Sequence, residues 1–97
     1  MGMVARDKPV ELAPAPWPDI ASEDPVGEVA RLFVVNLRRA IDSKSLRSVA
    51  VMSGVSHVTL INILSGRVWP DLATIARLEY GLGVSLWPMG NDSEAPS

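Results

Sequence analysis

The chain has 97 residues, enough for one domain with a small core, and no cysteine, which excludes a disulfide framework and a thiolate metal site. Its formal net charge of −2 argues at first sight against a polyanionic partner, which calls for a basic footprint. The charge is unevenly spread, however: residues 29–70 hold Arg31, Arg38, Arg39, Lys44, Arg47 and Arg67 against Asp42 alone, a net +5, between an acidic start and an acidic end.

No stretch approaches the ~18 apolar residues of a membrane span, and the opening residues lack the apolar run of a signal peptide, so the expectation is a soluble, cytoplasmic protein without a membrane partner. Pro9, Pro14, Pro16 and Pro18, scattered acids and no helical period predict an extended, flexible arm over residues 1–24. Trp17, set between two prolines, stands out as a side chain able to dock on the folded domain or on a partner. At the other end, residues 89–97 form a polar tail expected to be disordered.

Between these lies the expected domain, residues 25–88. Asp24 and Pro25 supply an N-cap and a residue suited to the first helical position, opening a helix over 25–42. Its Val29, Phe33, Leu37 and Ile41 recur every fourth residue as one apolar stripe. Leu32 and Val35 lie off that stripe and call for a second cover, such as the arm with Trp17. Ser45 caps a second helix, 46–53, with Leu46, Val49 and Ala50 toward the core, and Gly54 ends it. Val55 points inward, and Ser56 caps a third helix, 57–65, with Leu60, Ile63 and Leu64 facing the core until Ser65 and Gly66 terminate it. Asp71 caps a fourth, 72–81, with Leu72, Ile75, Ala76, Leu78 and Leu82 available for burial and Gly81 and Gly83 as breakers. Ser85 can cap at most one further turn before Pro88. No alternating apolar pattern calls for a strand. The fold class is therefore all-α: a compact four- to five-helix bundle with an extended N-terminal arm.

Two eight-residue helices joined by a glycine-containing turn cross steeply, and the small Ala50 lets them approach closely, so that one face of the second helix protrudes. The stretch from Ser45 to Gly66 resembles the lambda repressor/Cro-type helix-turn-helix family: Val49-Ala50, Gly54-Val55-Ser56, Thr59-Leu60, Ile63 and Ser65-Gly66 match its spacing position by position. A less specific likeness runs from Leu37 to Leu86 and covers about half the chain. The resemblance implies a helix-turn-helix within the bundle and a sequence-specific regulator of double-stranded DNA, most simply a repressor of bacterial or temperate-phage origin. It also implies the roles of individual side chains. His57, Val58, Ile61 and Asn62 become the groove-facing positions. The Asn62 amide is suited to pairing with adenine N6 and N7, and Val58 to a thymine methyl group.

The edges of the same surface supply the expected phosphate contacts. Ser45 and the free amides at the start of the second helix can hold one phosphate; Thr59, Ser65, the Gly66 amide and Arg67 can hold another. Arg39, Lys44 and Arg47 extend the basic rim. Leu46 departs from the family, which commonly has a polar residue there, and Pro88 cuts short the fifth helix that serves dimerisation in some members, so a monomer or weak homodimer is expected. A different class of function, an antitoxin or adaptor, would use Val51, Met52, Val58 and Ile61 as a partner surface. With one histidine, no cysteine and no Gly-rich phosphate loop, there is no nucleophile–base pair or metal set to argue from, and neither an enzyme, a cofactor nor a small-molecule ligand is expected.

Overall fold

The computed structural model describes residues 7–88. Four α-helices follow one another: α1 (Pro25–Ile41), α2 (Leu46–Ser53), α3 (His57–Leu64) and α4 (Leu72–Leu82), preceded by a single 3-10 turn at Pro9–Leu12. No strand is present among the described residues, and none of their helices is long and apolar enough to cross a membrane.

Each α-helix starts where the sequence offers a side-chain acceptor. Asp24 accepts from the amides of Val26 and Gly27, Ser45 from that of Ser48, Ser56 from that of Thr59 and Asp71 from that of Thr74. These bonds satisfy amides that the helical ladder leaves orphaned. The stops at α2 and α4 are left-handed glycines, Gly54 at φ +77° and Gly83 at φ +70°. At Gly54 the amide returns to the Ala50 carbonyl, 2.8 Å away, and the chain departs at an angle of 113° into α3. A residue with a Cβ would be strained in that conformation, so the steep α2–α3 crossing depends on this one glycine.

The core is continuous. Phe33, Val34, Leu37 and Ile41 of α1, Val49 of α2, Val55 of the turn, Leu60 and Ile63 of α3, Ile75 and Leu78 of α4, and Leu86 form one buried cluster. Burying a large aliphatic or aromatic side chain contributes about 1.5–3 kcal/mol, so this cluster supplies most of the drive to fold. Leu46, Ala50 and Leu64 pack at its margin, as their positions on α2 and α3 predict.

Several expectations need correction. Residues 7–24 are not an extended arm, because Pro9 and Pro18 are buried and Trp17 packs against the core. The Arg31 guanidinium donates to the Pro18 carbonyl at 2.9 Å, and the Ser22 hydroxyl donates to the Leu12 carbonyl. Gly27 makes room for the close passage of Leu12 over α1, since a Cβ there would lie 2.8 Å from that of Leu12. The segment thus lies over α1 at Gly27 and Arg31, while Leu32 and Val35 are half-buried. Residues 1–6 of the expected arm, like the tail at 89–97, lie outside the described residues.

In α4, Leu72 was expected among the residues available for burial but is 79 % exposed, and Ala76 is exposed too. The inward face runs through Ile75 and Leu78, so Leu72, at the first position of the helix, lies clear of the core. Gly81 does not break the helix; it lies inside α4, where a Cβ would come within 2.6 Å of the Met52 carbonyl oxygen and the Ser53 Cα. It is the point at which α4 presses onto the end of α2. The anticipated turn after Ser85 is absent. The Glu79 carboxylate accepts from the amides of Leu86 and Trp87 at 2.8 and 3.0 Å, and Asn36 donates to the Leu86 carbonyl at 2.9 Å. These side chains satisfy the backbone in place of a helical ladder and seat Leu86 in the core.

Two consequences can be measured. Gly81→Ala should destabilise the protein by about 1–3 kcal/mol in urea unfolding, because the backbone overlap with α2 outweighs the ~1 kcal/mol helix-propensity gain alanine normally brings. The second concerns Glu28, whose carboxyl is held below its ordinary value of 4.5 by its hydrogen bond to Arg31, against the opposing effect of desolvation and with help from the Ser22 amide. A depressed folded-state pKa gives stability that is present above pH 4.5 and lost as pH falls through the lowered value. Wild type should therefore lose its advantage over Glu28→Gln as urea midpoints are followed downward from pH 5 to pH 3, and a constant difference would contradict this.

Candidate nucleic-acid interface

The site is built on α3, an apolar helix with two unlike faces. Leu60 and Ile63 are fully buried, and the side chains between them face away from the core. His57 is exposed, Val58 is 65 % and Ile61 38 % exposed, and Asn62 is half-buried. The four residues expected to face a groove thus share the outward side of one helix. On α2, Val51 and Met52 are also exposed.

Phosphate-contact candidates other than Arg67 divide into three groups. Ser45, Lys44 and Arg47 are exposed around the start of α2. The Ser45 hydroxyl oxygen accepts the Ser48 amide at 3.0 Å, which leaves its proton for another acceptor. Arg47 also borders a broad groove of about 470 Å³ beside the α2–α3 turn, shared with Val51, Ser56 and His57. This brings a cation and the start of α3 to one depression. Thr59 accepts from the Ser56 hydroxyl at 2.9 Å, so its own proton is likewise uncommitted among these bonds.

The second group is already engaged within the chain. Gly66 is buried, and its amide already donates to the Ile63 carbonyl at 3.1 Å, so the expected phosphate contact through that amide is corrected. The Ser65 hydroxyl donates back to the Ile61 and Asn62 carbonyls at 2.9 and 3.3 Å, which turns its proton onto its own helix. Both residues finish α3 rather than face outward. Arg39 makes the third group by itself: it borders a separate depression with Asn36, Ala40 and residues 84–86, none of which belongs to α2 or α3.

Arg67 folds back instead of standing free after the helix. Its Nη1 donates to Asn62 Oδ1 at 3.0 Å, and its backbone amide donates to the Asn62 carbonyl, also at 3.0 Å. The two residues expected to read a base and to anchor a phosphate are thus joined.

The sequence reading missed what holds this end of α3. The Val10 amide donates to the Gly66 carbonyl at 2.9 Å, and the Trp17 indole donates to the Leu64 carbonyl at 3.0 Å. Trp69, in the following loop, donates to the Asp7 carbonyl at 2.8 Å. Gly66, at φ +74°, admits the segment, since a Cβ would meet Trp17 at 2.8 Å and Val10 at 2.9 Å. An otherwise unused helical carbonyl is thereby satisfied by an indole, and the N-terminal segment becomes a strap across the C-terminal end of α3. Trp17 between its prolines was the signal for this contact; nothing in the sequence marked Gly66 as its seat.

Trp17→Ala should accordingly cost about 2–4 kcal/mol in urea unfolding, since it removes both indole packing and a half-buried hydrogen bond. A change below ~0.5 kcal/mol, as for an exposed surface residue, would show that the strap does not support α3. No protein-family model matches the chain and no curated protein matches it, so the functional reading rests on the arrangement of these side chains.

Proposed function

We propose that the protein is a sequence-specific double-stranded DNA-binding regulator, most simply a repressor, that inserts α3 into the major groove. The observation that carries this reading is the 113° turn from α2 into α3, which leaves His57, Val58, Ile61 and Asn62 on the outward side of a helix whose opposite face is buried. Helices crossing at such an angle can place one against the backbone and the other against base edges. The basic middle of the chain fits the same picture, with Lys44 and Arg47 exposed at the start of α2 and the charge of Arg67 just beyond α3. The Ser45 and Thr59 hydroxyls add two donors at the rim.

A second reading is favoured by one observation. Val51, Met52, Val58 and Ile61 are all exposed, so α2 and α3 also present apolar surface that a protein partner would cover, as in an antitoxin or adaptor. Salt separates the two. Three neutralised phosphates give a log–log slope of about −3, an affinity loss of roughly 40-fold between 50 and 200 mM salt, whereas an apolar interface has little salt dependence. Titration of labelled random duplex across that range should show this fall, and Arg47→Ala should flatten the slope by about one. Absence of duplex binding even at 50 mM salt would rule out the DNA reading.

A further inference from the structure

We infer that Asn62 and Arg67 form one recognition unit that presents donors only and therefore selects guanine, not adenine, at the base facing the end of α3. This inference rests on the proposal that α3 enters the major groove.

An unpartnered asparagine amide offers one acceptor and one donor side by side, the complement of adenine's N6 amino group and N7. Here the acceptor is taken. Arg67 Nη1 donates to Asn62 Oδ1 at 3.0 Å, and this placement is not left to a long, exposed side chain alone. The Arg67 amide is itself bonded to the Asn62 carbonyl at 3.0 Å, and the preceding Gly66 is fixed in a left-handed conformation beneath Val10 and Trp17. The backbone thus returns Arg67 to the last turn of α3 before its side chain is considered.

Oδ1 retains a second lone pair, but a guanidinium charge beside it repels the partly positive hydrogens of an approaching amino group. What remains to face a base is the Nδ2 amino group of Asn62 together with the other N–H groups of Arg67. Guanine presents two adjacent acceptors, O6 and N7, to the major groove; thymine presents one, O4; adenine and cytosine each present an amino donor. Two neighbouring donors match guanine best. In this unit Arg67 acts as a positioning residue for Asn62 as well as a donor.

Selection of bound duplexes from a random pool, using the full chain, tests this directly with the wild type, Asn62→Ala and Arg67→Ala. The position read by the unit is the one whose preference weakens in Asn62→Ala. Wild type should enrich guanine there, and Arg67→Ala, by freeing Oδ1, should raise the adenine-to-guanine ratio by tenfold or more. Because Arg67 is exposed, this variant should fold, which circular dichroism verifies. Adenine enrichment by the wild type, or an unchanged base in Arg67→Ala, would overturn the inference while leaving DNA binding intact. Failure of the wild type to enrich any sequence, together with no salt-dependent duplex binding, would overturn the underlying reading as well.

Discussion

An eight-residue helix is not stable in water by itself, because closing the first turn costs more than so few hydrogen bonds return. α3 has that length and carries the candidate surface, so its direction must be imposed by what surrounds it. Leu60 and Ile63 anchor its inner face in the core. Its first turn is fixed by Ser56 and by the left-handed Gly54 that precedes it. Its last turn is held by the strap, through Trp17 on the Leu64 carbonyl and Val10 on that of Gly66. A helix restrained at both ends and along one side presents the remaining side at a defined angle, which is the property that recognition of a base edge requires.

The same constraint explains two costly features away from α3. Gly81 sits inside α4 although glycine weakens a helix interior, because only glycine allows α4 to lie against the end of α2. The α2–α3 crossing is thereby supported from behind. The pairing of Glu28 with Arg31 has a comparable place in the strap: Glu28 accepts the Ser22 amide at 2.7 Å while Arg31 reaches the Pro18 carbonyl. As a partly exposed ion pair, it contributes modestly in Coulombic energy. Its larger effect is geometric, since both partners also bind the backbone of the strap.

Much of the architecture was legible in the order of residues. Asp24, Ser45, Ser56 and Asp71 named the helix starts because capping is local: the acceptor and the amides it serves lie within three residues. Gly54 named the turn for the same reason. The set His57, Val58, Ile61 and Asn62 came from the family resemblance, and helical spacing accounts for its position away from Leu60 and Ile63, which the apolar pattern had assigned to the core. Gly66, Ser65 and Arg67 were harder. A residue type suited to phosphate says nothing of whether its amide or hydroxyl is already occupied, and at all three positions an intramolecular partner had taken part of the capacity.

The amino-acid order alone therefore determined the all-α class, the four helices and the side of α3 left outward, because these depend on contacts within a few residues along the chain. Tertiary structure decided the rest. It turned the Pro-rich segment from a presumed extended arm into a strap, buried Gly66 beneath it, directed Arg67 onto Asn62 and set Arg39 in a different depression from α2 and α3. Trp17 and Leu64 are 47 positions apart, and Asn36 and Leu86 are 50 apart. Contacts at such separations leave no periodic trace in a sequence, since they arise only after the core has brought the helices together.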